Sequence, residues 1–153
     1  MNIFPFFKKP SFFSDQEKEQ IVQAIRQAEQ QTSGEIRIYV ESKNAYVDPM
    51  DRAAEVFYNL KMDKTQDRNA VLLYVAFKDK QLALFGDEGI YKATGATYWN
   101  EAVKNILTLF KNQHICNGIV NCITQIGATL TEKFPYQSTT DKNELPDEIV
   151  FGK

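Results

Sequence analysis

The amino-acid sequence predicts an α/β chain, a three-layer α/β/α sandwich around a small mixed β-sheet. Three observations lead there. Residues 69–77, NAVLLYVAF, are nearly continuous apolar sequence, which marks a central strand covered on both faces. Residues 35–41, EIRIYVE, alternate and are rich in β-formers, which marks a second strand. A helical pattern lies between the two, and a strand–helix–strand crossover favours parallel strands with helices on the faces.

Each element has its own local cause. Ser14-Asp15-Gln16-Glu17 is a capping box, with Ser at the cap and Glu three residues later. Ile21, Val22, Ile25 and Ala28 then place a helix over residues 14–31. Thr32-Ser33-Gly34 ends it, with Gly34 expected to supply the turn. After the first strand, Asp48-Pro49 opens a second helix, Asp as cap and Pro in the first turn. Met50, Ala53, Ala54, Phe57 and Tyr58 form its apolar stripe, and it ends near Leu60. A polar loop, 61–68, leads to the central strand. Lys78-Asp79-Lys80 turns that strand back into residues 81–85, and the absence of glycine leaves the turn type open. A short helical turn is expected near residues 90–92. Two longer helices follow, over 97–113 with Trp99, Ala102, Val103, Ile106, Leu107 and Phe110 on one face, and over 115–133 with Ile115, Ile119, Ile123, Ile126 and Leu130 inward. The expected division is an aromatic arm over residues 1–13, the α/β/α domain over 14–134, and an acidic tail over 135–153.

Composition narrows the function. A chain of 153 residues buries a real core as one domain. Its 18 basic and 20 acidic residues, net charge −2, leave no basic footprint for nucleic acid. Cys116 and Cys122 have neither redox-pair nor zinc-knuckle spacing, so both are expected to be thiols packed as small hydrophobes, which suits a reducing compartment. The N-terminus lacks the h-region of a signal peptide, and no window approaches the ~20 apolar residues that span a bilayer. The expected location is cytoplasmic. His114, between two helices, reads as a cap or surface residue. No GxSxG, GxxxxGK[ST] or HExxH motif occurs.

The topology also predicts a meeting point. If the two crossover strands are parallel, their starts share one sheet edge, and the returning strand ends there. Thr32-Ser33-Gly34-Glu35, Asp67-Arg68-Asn69 and Gly86-Asp87-Glu88-Gly89 should gather at that edge, with Glu41, Ser42 and the Lys78-Asp79-Lys80 turn at the other. Glu35, Asp67, Asp87 and Glu88 are hard oxygen ligands that suit Ca²⁺ or Mg²⁺. The plainer alternative has Asp87 or Glu88 capping the next helix, Arg68 pairing one acid, and the rest solvated. Gly86 and Gly89 are expected to permit tight backbone turns.

The segments SGEIRIYV, DRNAVLLYVAFKDKQLALFGDEGIY and FPY with NELPDEI resemble the TPM domain family over residues 12–151, nearly the whole chain. That family is named for a thylakoid-lumen protein, a photosystem II repair protein and a worm receptor modulator. The resemblance implies an α/β/α sandwich, an acid phosphatase activity and divalent-cation binding at acidic strand-edge loops, which fall here on Glu35, Asp67 and Asp87. Many members carry a signal peptide and membrane anchor, and this sequence shows neither.

Three functional expectations follow. The first is a phosphatase-like hydrolase using Asp67, Arg68 and Asp87, with Ca²⁺ or Mg²⁺ among Glu35, Asp67, Asp87 and Glu88 and a phosphorylated substrate. The second is a non-catalytic module for a protein partner, using the aromatic arm and the NELPDEI tail as contact segments. The third is an accessory at a membrane surface, using Phe4, Phe6 and Phe7 with Lys8 and Lys9.

Overall fold

The computed structural model describes residues 12–45, 48–111, 115–136 and 149–152. Along the chain these form α1 (Asp15–Glu29), β1 (Glu35–Glu41), α2 (Pro49–Asn59), β2 (Ala70–Ala76), β3 (Gln81–Gly86), α3 (Glu88–Thr94), α4 (Ala96–Lys111), α5 (Ile115–Lys133) and β4 (Ile149–Phe151). The strands make one mixed sheet in the order β3-β2-β1-β4. β1 and β2 run parallel, Glu35 opposite Ala70 and Glu41 opposite Ala76. β3 returns antiparallel to β2, and β4 joins the free side of β1 in parallel.

The helix starts follow their caps. Ser14 Oγ accepts from the Glu17 N–H at 3.1 Å, while Glu17 Oε1 accepts from the Ser14 N–H at 2.9 Å. Asp48 accepts from the Met50 N–H at 2.9 Å, ahead of Pro49. One turn differs from expectation. α1 ends at Gln30 in right-handed conformation, and Gly34 supplies room rather than a turn: a Cβ there would stand 2.6 Å from Leu130 Cδ2. In the hairpin, Lys80 itself takes the left-handed conformation, at φ 52°.

The sheet separates two layers of helix. Ile36, Ile38 and Val40 of β1, Val71, Leu73 and Val75 of β2, and Leu82 and Leu84 of β3 face α1, α4 and α5 in the larger core. The alternate residues of β2, Ala70, Leu72, Tyr74 and Ala76, face α2 through Ala53, Val56 and Phe57. Every residue of β2 is buried, which matches its unbroken apolar sequence. On the larger face α1 lies against α5, where a Cβ on Gly127 would stand 2.6 Å from Ala28 Cβ.

The ends of the chain bring one surprise. The start of the domain is aromatic packing: the Phe12 and Phe13 rings lie 5.2 and 5.7 Å from that of Phe77. β4 lies within the span expected to be an acidic tail, and three residues are too few for a period-2 pattern to announce them. Phe4, Phe6, Phe7, Lys8, Lys9 and His114 lie outside the described residues. Among the described residues no helix is long and apolar enough to cross a membrane.

Both cysteines are buried thiols without a disulfide. Burial pushes the Cys122 thiol up to about 12 and raises that of Cys116. The unfolded thiol, with its ordinary value of 9.0, sheds its proton first, so between about pH 9 and 12 the unfolded state holds fewer protons and stability falls as pH rises. Urea midpoints are expected to drop through that window, and Cys122→Ala should flatten part of the slope. In native protein near pH 8, iodoacetamide should leave Cys122 unmodified, since the thiolate is the reactive form.

Candidate functional site at the Arg68–Asp87 corner

The shared edge predicted by topology exists. The Asp87 N–H donates to Ala70 O at 2.9 Å, and the Gly89 N–H donates to Arg68 O at 2.8 Å. Asn69 Nδ2 donates to Ser33 Oγ at 3.2 Å. Backbone and side chains therefore tie together the starts of β1 and β2 and the end of β3.

The glycines here serve close approach, not turning. A Cβ on Gly89 would stand 2.2 Å from Asp67 O and 2.6 Å from Arg68 O. A Cβ on Gly86 would stand 2.6 Å from the Trp99 ring. Neither glycine has positive φ; the left-handed residue of the corner is Arg68, at φ 51°. That backbone choice puts the Arg68 carbonyl under the first turn of α3 and its side chain beside Asp87.

Arg68 holds Asp87 with two bonds. Nε donates to Oδ2 at 2.7 Å and Nη2 donates to Oδ1 at 2.9 Å, a bidentate pair. Oδ1 also accepts from the Glu88 N–H at 2.8 Å, so Asp87 is the N-cap of α3 as well. Asp87 is 2% exposed. Arg68 Nη1 reaches exposed Glu88 at 3.5 Å. The hydrogen bonds to Asp87, with further attraction from Asp87, Glu88 and Asp63, raise the guanidinium pKa above its usual value. Asp63 belongs to the loop before β2, and nothing in its spacing marks it in the sequence.

The expected residues thus divide. Arg68, Asp87 and Glu88 meet side chain to side chain. Asp67 reaches the corner through its carbonyl, while its side chain is exposed. Glu35 is buried at the start of β1, opposite Ala70. Among the described residues no three His, Cys, Asp or Glu side chains converge in a way that fits a metal ion. Asp87, central to the expected ligand set, has both oxygens in hydrogen bonds, to the Arg68 guanidinium and the Glu88 N–H.

Beside the pair lies an open groove of about 320 Å³, lined by Tyr58, Arg68, Phe85, Asp87, Tyr91 and Lys92 among others. Tyr58 and Tyr91 are exposed large side chains. Tyr58 packs edge-on to Phe85 at 5.9 Å, and Tyr91 stacks on Trp99 at 6.4 Å, so both rings are held by neighbours.

The opposite sheet edge holds a second pair that sequence reasoning placed there only in part. Glu41, buried at the end of β1, accepts from Arg52 Nε at 2.8 Å and Nη2 at 3.0 Å, and from the Tyr74 hydroxyl. Arg52 also pairs with Glu55 and lies 5.7 Å from the Tyr39 ring. Burial, then the bond to Glu41, raises the Tyr74 pKa. An available clue is the Arg52–Glu55 spacing of three on α2, which puts both on one helix face.

Comparison with known proteins adds to this geometry. A family model described as the TPM domain matches residues 7–129. No curated protein matches the chain. Among solved structures, the chain is similar to the BA42 protein of the psychrophilic bacterium Bizionia argentinensis, at 41% identity and a TM-score of 0.86, covering 95% of this chain and 99% of that one. It also shares its fold with the N-terminal domain of the cg2496 protein of Corynebacterium glutamicum, at 12% identity and a TM-score of 0.58, over 78% and 74% of the two chains.

Three substitutions test the corner. Gly89→Ala drives a methyl into two backbone carbonyls and is expected to cost about 1–3 kcal/mol in urea unfolding. Arg68→Ala leaves a buried carboxylate without its partner, whereas Asp87→Asn removes the charge and keeps a good cap residue. Arg68→Ala should therefore lower the urea midpoint more than Asp87→Asn does.

Proposed function

The chain belongs to the TPM domain family, and from that premise we propose that it is a binding module whose contact surface is the groove beside Arg68 and Asp87. The state of Asp87 carries this reading. It is the buried acid of the groove lining, and both its oxygens are engaged, so it is not poised as a base or nucleophile. Around it stand Tyr58, Tyr91 and Arg68, residue types that anchor protein interfaces, with Lys92 beside them. The partner that fits is a protein segment carrying an acidic or phosphorylated side chain, its anion at Lys92 and the exposed edge of Arg68. With millimolar Ca²⁺ or Mg²⁺, phosphate release from a chromogenic phosphomonoester is expected to stay at the level of the Asp87→Asn control. Turnover that this substitution abolishes would overturn the reading. Tyr58→Ala combined with Tyr91→Ala should weaken partner capture at least tenfold while leaving the circular dichroism spectrum unchanged.

A second reading keeps a cation-dependent phosphatase, with Asp67, Arg68 and Asp87 at the reacting group and Ca²⁺ or Mg²⁺ among Glu35, Asp67, Asp87 and Glu88. Its support is Asn69 Oδ1, a buried acceptor at this corner with no hydrogen-bond partner among the described residues and a hard oxygen ligand by type. An amide NMR titration of metal-stripped protein separates the two readings. Saturable shifts confined to residues 33–35, 67–69 and 86–89 favour the cation; unmoved amides at millimolar ion favour the binding module.

A further inference from the structure

The outer edge of the sheet is closed by very little. β4 pairs with β1 only across Ile38–Val40, and the Gly152 N–H extends the ladder to Val40 O at 2.7 Å. Four residues before Val40, the Ile36 N–H is taken by Glu29 Oε2 at 2.7 Å. Ile36 and Val40 thus both turn backbone groups toward this edge, as the period of two requires. Glu29, β4 and Gly152 cover a stretch that would otherwise pair with any extended chain.

The cover is specific to its sequence. A Cβ on Gly152 would stand 2.4 Å from Tyr39 Oη and 2.9 Å from Glu41 Cβ, so a larger residue meets the ring and the backbone-proximal end of the buried Glu41 side chain. The Phe151 ring stacks on Phe12 at 6.3 Å and receives the Lys18 ammonium at 5.5 Å. Ile149 packs on the larger core.

The hold is nonetheless small. The strand has three residues, none fully buried, and Phe151 is 38% exposed. Residues 137–148 separate it from Tyr136, whose N–H donates to Gln31 O near the start of β1. An extended chain of that length reaches ~40 Å, so no tight connection dictates the pairing.

We propose that the β1 edge is a strand-docking site, filled in cis by Ile149–Gly152 and open to the same segment of a second copy of this chain. The site's complementarity names that occupant: a second copy's Ile-Val-Phe-Gly makes every contact β4 makes, which is the low-cost route to an exchanged strand.

The test uses the full-length Val150→Pro variant and a labelled peptide, DEIVFGK. Val150 faces β1 on the same side as Gly152, and proline there removes a ladder donor. The peptide is expected to bind this variant at least tenfold more tightly than wild type, where the resident strand competes. A peptide carrying Gly152→Val should not bind. Equal affinity for both proteins, or no binding to a variant with a native circular dichroism spectrum, overturns the proposal. If the variant fails to fold, hydrogen exchange on wild-type protein decides. The Gly152 amide is expected to exchange at least a hundredfold faster than the β2 amides, and equal protection overturns separate opening of the strand.

Discussion

The structure depends on one requirement, that β2 be covered on both faces and both edges. Seven apolar residues in succession, all buried, leave no side of the strand for water. Covering its edges demands β1 and β3. A parallel β1 in turn demands a crossover, which lays α2 over one face and leaves the other to α1, α4 and α5. The chain has little choice of architecture once residues 70–76 are read.

Both sheet edges then need electrostatic closure. At the start of β2 the chain enters the strand through Arg68, whose left-handed backbone lets its carbonyl meet α3 and its guanidinium meet Asp87. At the far edge Glu41 ends β1 in a buried pair with Arg52. Each arginine grips its carboxylate with two bonds, and each pair joins a strand to the element that must dock on it. A pair of this kind is weak evidence for net stability, but removing its arginine would strand a buried carboxylate. The same engagement fixes Asp87 in the groove lining, bonded to Arg68 and capping α3.

Most of the fold was legible because its signals are local or periodic. The capping box at Ser14, the Asp48-Pro49 helix start, the apolar run of β2 and the hairpin all appear where the pattern puts them. The gathering of Ser33, Arg68 and Asp87 followed from topology alone. What escaped was decided by contact between distant residues. Gly34, Gly86 and Gly89 look like turn formers in sequence, yet each is there to admit a neighbour: Leu130, Trp99 and two carbonyls. Arg68 and Lys80 took the left-handed conformations that composition would give to glycine. β4 and Asp63 were invisible because three residues have no period and a lone loop acid has no partner in sequence. For the candidate site, the list of acids was readable, but the two-bond pairing of Asp87 with Arg68 is a matter of side-chain geometry.

The seam between α1 and α5 has a consequence for how the chain is made. Ala28 meets Gly127 with no room for another methyl, and Leu130 fills the space that Gly34 leaves. Among the described helices, α1 is made before the others and has its close-fitting partner in α5, which is made after them. Until residues 115–133 emerge, Ile21 and Ile25 lack much of their cover, and the contacts that settle them span most of the chain. Such long-range closure slows folding and prolongs the life of sticky intermediates. The nascent chain carries an apolar helix face, waiting for its cover, while everything from β1 to α4 is made.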